Sequence, residues 1–111
     1  MKSFIDDNST FSMIQEINVY DNKKGKIDIS SYENMNNLLA SGKNINSDTS
    51  LKGIKYMISK DLWLKPKDIE LTSVDGSDGC MLTFTVDASS DYIGKDYNLT
   101  IEVYALVFSL N

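Results

Sequence analysis

Apolar and polar residues alternate near both ends of the chain, which is the pattern of half-buried β-strands. In FSMIQEINVY, residues 11–20, four apolar residues share one side of a two-residue period, with Gln15 as the exception: Phe11, Met13, Ile17 and Val19. The next residues, DNKKG, contain Asp21, Asn22 and Gly25, and KIDIS then alternates again. This order predicts an N-terminal β-hairpin with a longer loop.

Apolar residues in the middle of the chain are spaced three or four apart, as on one side of a helix. Ser30, followed three residues later by Glu33, matches a capping box. An apolar stripe follows that Gly42 can close, so we expect a short helix over 31–41. The stripe consists of Tyr32, Met35, Leu38 and Leu39. Residues 43–49 then predict a loop.

A second helix is predicted by apolar residues spaced three, four and four apart: Leu51, Ile54, Ile58 and Leu62. Its candidate N-caps are Asp48, Thr49 and Ser50. Gly53 lies inside this helix and costs about 1 kcal/mol relative to alanine. We expect the helix to end within LWLKP, because the residue before Pro66 favours extended geometry. Trp63 in this stretch is either an exposed binding residue or a core anchor at a helix-to-strand corner, and the core anchor is favoured.

Alternation returns from Asp68 onward in DIELTSV, CMLTFTVD and YNLTIEVYALVFSL. The second of these is the clearest strand, because one face is wholly apolar: Cys80, Leu82, Phe84 and Val86. The last turns apolar on both faces, which predicts a strand at the centre of the sheet or covered on both sides. The fold class is therefore α+β: an N-terminal β-hairpin, two short helices and a C-terminal three-stranded antiparallel meander, in a single mostly antiparallel sheet packed on the helices.

The length of 111 residues fits one domain spanning 1–111, with enough residues to bury a core without staples. Hydrophobic content of 41% and charged content of 24% are typical of globular proteins. The single cysteine, Cys80, excludes an internal disulfide and any cysteine-based zinc site. Because it lies on the apolar face of its strand, we interpret it as a packing residue.

Catalysis finds little support in the residue types present. Histidine is absent, so a general acid or base near neutral pH would have to be a carboxylate, lysine or tyrosine with a shifted pKa. The chain contains no phosphate-binding loop, dinucleotide fingerprint, nucleophile elbow or metalloprotease helix. Its aspartate-containing loops lack the spacing of a calcium-binding loop. We therefore expect no enzyme activity, no metal site and no cofactor.

The basic residues also argue against nucleic acid as a partner. All 11 are lysines and the net charge is −5, so the chain lacks the planar, bidentate donor used in phosphate and base recognition. Asp6 and Asp7 occupy the place where a signal peptide needs its apolar core, and the longest apolar run, 103–108, is too short to span a bilayer. We expect a cytoplasmic protein that binds no membrane. Abundant Asn, Lys and Ile beside absent Arg indicate a bacterial or phage genome.

Five aspartates bracket the clearest strand: Asp75, Asp78, Asp87, Asp91 and Asp96. An extended strand separates the first two from the other three by roughly 20 Å, so the five cannot form one site. Turn chemistry alone explains most of them. It does not explain the distribution of charge, because residues 1–60 hold eight lysines and seven acids, whereas residues 61–111 hold three lysines and nine acids. All of the negative surplus therefore lies in the second half.

These observations favour a small acidic binding protein, an immunity protein or antitoxin that occludes a basic protein such as a nuclease toxin. Its partner-binding residues would be Asp75, Asp78, Asp87, Asp91, Tyr92 and Asp96, with Tyr97 as a further aromatic contact. Alternatives are a phage anti-defence protein that blocks a host protein, a phage or cellular structural subunit that pairs through its apolar terminal strand, and a sheet that binds a small molecule or sugar. We expect a monomer or homodimer.

Overall fold

The computed structural model describes residues 5–42, 48–76 and 80–109. Its elements in chain order are β1 (Thr10–Asp21), β2 (Gly25–Ile27), α1 (Glu33–Gly42), β3 (Asp48–Ser50), α2 (Leu51–Leu62), a 3-10 turn (Pro66–Asp68), β4 (Ile69–Asp75), β5 (Cys80–Ser89) and β6 (Asp96–Ser109). The predicted α+β fold, with its hairpin, two helices and C-terminal meander, is confirmed.

The strands form one sheet in the order β2-β1-β6-β5-β4, and each pairing is antiparallel. The short strand β3 pairs with the start of β1, at the opposite end from β2. This strand was missed, because residues 48 and 49 were assigned to the predicted loop; the rest of that loop, 43–47, lies outside the described residues. Strand β6 lies at the centre of the sheet. The prediction concerned its apolar end, where residues 103–105 pair with both β1 and β5, whereas residues 107–109 pair among the described residues with β1 alone.

Both helices pack on one face of the sheet and share a single core with it. From the helices come Met35, Leu38, Leu51, Ile54, Ile58 and Leu62. From the meander come Cys80, Leu82, Phe84, Val86, Leu99, Ile101 and Val103. Burial of the predicted apolar face of β5 is thus confirmed, and this core leaves the opposite face of the sheet to its polar residues.

Strand β1 departs from simple alternation around Gln15. Met13 has a φ of 53° and the register with β6 shifts between Ile14 and Glu16, which is a β-bulge. Ile14 is buried as a result, whereas Met13 is only half-buried. The prediction that Met13 shares the apolar side was therefore wrong, although Gln15 did mark the irregularity.

Helix α1 is capped from another helix. The backbone N–H groups of Asn34 and Met35 donate to Asp61 Oδ1 and Oδ2 at 2.9 and 2.8 Å, and Asn34 Nδ2 also donates to Oδ1 at 2.8 Å. The predicted capping box at Ser30 was wrong, because the helix begins at Glu33 and the Ser30 N–H donates to Asp28 instead.

Helix α2 begins as predicted, with Ser50 Oγ accepting the N–H of Gly53 at 3.0 Å. A Cβ on Gly53 would lie 3.2 Å from that oxygen, so this cap accounts for a glycine inside the helix. The helix ends at Leu62, where Trp63 adopts the left-handed conformation with φ 57°. Lys65 before Pro66 is extended, as predicted.

Candidate functional site

The face of the sheet opposite the helices carries polar and aromatic side chains that are mostly exposed or half-buried. We call this surface the open face. Residues paired across antiparallel strands project to the same side, so the strand registers define it: Glu16, Asn18, Tyr20, Lys26, Glu70, Ser73, Asp75, Met81, Thr83, Thr85, Asp87, Ser89, Asp96, Asn98, Thr100, Glu102 and Tyr104.

The open face is strongly acidic. It brings together six carboxylates from four strands: Glu16, Glu70, Asp75, Asp87, Asp96 and Glu102. Strands β1, β4, β5 and β6 contain no lysine. Lys26, paired with Tyr20, is the one lysine that the described strands contribute. Cations concentrate instead on α2 and the segment after it: Lys52, Lys55, Lys60, Lys65 and Lys67. The fold therefore turns the charge asymmetry of the sequence into an acidic face and a lysine-rich helix side. At one end of the face, Lys23 and Lys24 of the β1–β2 turn line a depression together with Asp87 and Asp96.

Glu102 lies at the centre of this face, between two tyrosines. The pKa of Tyr20 is raised by partial loss of hydration and then by the charge and hydrogen bond of Glu102. Loss of hydration and the charge of Glu102 also raise the pKa of Tyr104. Both phenols therefore remain protonated donors at neutral pH. Beside them Asn18 Nδ2 donates to Glu16 Oε2 at 2.8 Å, which holds this pair of side chains together.

The predicted site residues separate into two regions. Asp75 and Asp87 lie on the open face near opposite ends of β5, since Asp75 pairs with Met81 and Asp87 with Asn98. Asp96 lies at the hairpin end of the same face, where it pairs with Ser89 and accepts a hydrogen bond from the Ser89 hydroxyl. Asp91 and Tyr92 lie in the loop between β5 and β6. Asp78 lies outside the described residues.

Three carboxylates of the open face were missed from the sequence: Glu16, Glu70 and Glu102. Each occupies the polar phase of its strand, which is the signal that could have found them. Asp87 and Asp91 accept no hydrogen bond and form no ion pair with another described residue. Their charge therefore stays available to a partner.

Comparison of the chain with protein-family models, with curated proteins and with solved structures finds no match.

An exposed aromatic pair lies at the junction of α2 and the β5–β6 loop. The Trp63 side chain is 56% exposed and that of Tyr92 is 69% exposed, with ring centroids 6.3 Å apart. The buried Ser90 fixes the junction, because its hydroxyl donates to the Trp63 carbonyl and accepts the N–H groups of Tyr92 and Ile93. The favoured interpretation of Trp63 as a core anchor was wrong.

Tyr97 does not accompany Tyr92 at the surface. It is 8% exposed and belongs to the core, so it offers a partner almost no contact area. Sequence alternation had already placed Tyr97 in phase with Leu99 and Ile101, and this is the phase that faces the helices.

Cys80 is a poor nucleophile. It is buried on the core side of β5, and loss of hydration together with the charge of Asp75 raises the pKa of its thiol to about 11. This agrees with its interpretation as a packing residue. Within residues 5–42, 48–76 and 80–109, no group of three acidic, cysteine or histidine side chains is arranged to hold a metal ion. None of the helices in these ranges combines the length and hydropathy needed to cross a bilayer.

Strand β6 offers little free edge to a neighbouring subunit. Residues 99–105 pair with β1 on one side and with β5 on the other. Pairing of the apolar terminal strand with another chain would have to use the residues after Ala105. This geometry counts against the structural-subunit alternative in the form in which the sequence raised it.

Proposed function

We propose that this chain is a cytoplasmic inhibitor that binds a basic protein through its open face, as an immunity protein or antitoxin occludes a nuclease toxin. A single observation carries the proposal: six carboxylates from four strands share one face, and the described strands contribute only one lysine to it. A phage anti-defence protein that blocks a host protein would use the same surface.

The electrostatics of the open face suit recognition of a cationic surface. Complementary charge accelerates encounter and selects the partner, and its effect weakens as salt screens the charges. Tyr20 and Tyr104 supply contact area at low entropic cost, because they are already half-buried. The face therefore combines long-range attraction with a preorganised surface.

The test compares two doubly neutralised variants of equal net charge. Glu70→Gln with Asp87→Asn alters the open face, and Asp7→Asn with Glu33→Gln alters exposed carboxylates elsewhere. Each pair changes the net charge from −5 to about −3. None of these four side chains accepts a hydrogen bond from a described residue, so both variants are expected to fold.

The wild type and both variants are immobilised and used to capture proteins from bacterial extract, and each captured protein is then titrated by calorimetry. We expect the captured partner to be a basic protein. The wild type and the Asp7/Glu33 variant should bind it with the same affinity, and the Glu70/Asp87 variant should bind it at least about tenfold more weakly. One equivalent of the wild-type chain should abolish the partner's activity. Equal binding by both variants, or a captured partner with an acidic surface, would refute the proposal.

A further inference from the structure

One row of side chains across the open face has charged residues at its two ends and apolar residues in its middle. This order indicates which kind of peptide segment fits the face. Glu16 on β1 pairs with Tyr104 on β6, Tyr104 pairs with Met81 on β5, and Met81 pairs with Asp75 on β4. The row therefore has a carboxylate at each end and an aromatic and a thioether side chain between them.

The middle of this row is a shallow apolar depression. It has a volume of about 340 Å³, and its lining includes Met81, Tyr104, Ala105 and the exposed Leu106. Asp75 lines one side of it, Glu16 lies beyond its lining at the other end of the row, and no described lysine lines it. An apolar floor with an acidic rim fits an apolar side chain flanked by cations, which is the usual anatomy of a binding hot spot.

The spacing of the row indicates how those cations are arranged. Three inter-strand steps of about 4.8 Å place the Cα atoms of Glu16 and Asp75 about 14 Å apart. In an extended chain, residues four apart in sequence are about 13 Å apart, and the first, third and fifth point to the same side. A helix with its basic, apolar and basic residues at i, i+4 and i+8 spans about 12 Å, but each of these side chains is rotated by about 40° from the one before. A helix would therefore match the straight row less well than an extended chain.

We infer that the open face binds an extended basic segment of its protein partner, of the pattern basic–x–apolar–x–basic, laid across the strands with the apolar side chain between Met81 and Tyr104 and the two cations at Glu16 and Asp75. This inference rests on the proposed function and names the chemistry that the open face recognises.

Three capped pentapeptides test the spacing without knowledge of the natural partner. The probe is Lys-Ser-Leu-Ser-Lys. The first control, Lys-Lys-Leu-Ser-Ser, has the same composition and charge with the wrong spacing, and the second, Lys-Ser-Ser-Ser-Lys, lacks the apolar residue. Peptides of this length do not form stable helices. Each is titrated into ¹⁵N-labelled protein at low salt, and the amide shifts of Met81, Tyr104 and Thr85 are followed by NMR.

We expect the probe to bind at least about threefold more tightly than either control, with the largest shifts at Met81 and Tyr104. In a Met81→Thr variant this preference is expected to disappear, whereas Thr85→Ala, on the same strand and face, retains it. The comparison of peptides on the wild type does not depend on either variant folding.

The possible failures are distinguishable. Equal affinity for all three peptides at the open face would overturn the inference and leave the acidic docking surface standing. Shifts confined to other parts of the molecule, or no shifts with any peptide, would overturn both the inference and the proposed function.

Discussion

Helix α1 depends on a carboxylate that belongs to α2, and removal of that carboxylate should be among the most damaging single changes on the surface of the protein. Asp61 accepts three hydrogen bonds, two from backbone N–H groups at the start of α1 and one from the Asn34 side chain. It also places a negative charge at the positive end of the helix dipole. We therefore expect Asp61→Ala to loosen α1 from the sheet.

The expected magnitude follows from these contacts. Loss of an N-cap costs about 0.5–2 kcal/mol, and loss of charge at a helix N-terminus adds about 0.3–1 kcal/mol. Because one carboxylate serves two backbone donors here, we expect the free energy of unfolding to fall by about 2–3 kcal/mol. With a urea m-value of about 1.5 kcal/mol/M, the midpoint would fall by about 1.3–2 M.

The assay is urea denaturation followed by circular dichroism, with hydrogen exchange at Asn34 and Met35. Asp61→Asn keeps one acceptor oxygen, so its loss should be about half as large. Asp91→Ala is the matched control, because that carboxylate is exposed and has no hydrogen-bond partner among the described residues. A loss below about 0.5 kcal/mol for Asp61→Ala, or unchanged exchange at the start of α1, would refute the reasoning.

Three further predictions concern other positions. Ser90→Ala removes the hydroxyl that joins the Trp63 carbonyl to the β5–β6 loop, so we expect a loss of about 1–2 kcal/mol in urea denaturation and a changed Trp63 emission; an unchanged midpoint would contradict this role. The Cys80 thiol should react with a disulfide reagent at pH 8 far more slowly in the folded protein than in urea, because burial raises its pKa. The unfolded thiol ionises first, near 9.0, so the free energy of unfolding should also fall as the pH rises toward about 11. Rapid labelling of the folded protein, or a stability that does not change with pH in this range, would contradict the raised pKa. Gly25→Ala should cost about 1–2 kcal/mol, because Gly25 has a φ of 101° that an L side chain rarely adopts, and an unchanged melting curve would count against that backbone conformation.

Local periodicity was sufficient to predict most of the secondary structure. The phase of Cys80, Leu82, Phe84 and Val86 depends only on the two-residue repeat of an extended chain, and the structure buries all four. Helix α2 could be predicted equally well, because its apolar spacing and its cap at Ser50 lie within one short segment. The burial of Ile14 in place of Met13 could not be predicted from the sequence, because the bulge is defined by the register of β1 against β6.

The candidate site could be predicted only in part from the sequence. Asp75 and Asp87 were selected because they cluster in sequence near a strong strand. Glu16, Glu70 and Glu102 are isolated in sequence, and only strand pairing brings them onto one face with the first two. Conversely, Asp91 is close in sequence to Asp87 and Asp96 but lies in the loop between β5 and β6.

By itself, the sequence determined the α+β class, the order of the elements, the buried phase of the principal strands and the surplus of negative charge, because each of these depends on neighbours along the chain. Three features came only from the folded chain: six carboxylates share one face, Asp61 caps α1 by accepting the N–H of Met35, 26 residues earlier in sequence, and Trp63 is exposed. These features depend on pairs of residues that are distant in sequence. Strand register and helix packing set the distance between such residues in space, and no pattern of neighbouring residues encodes it.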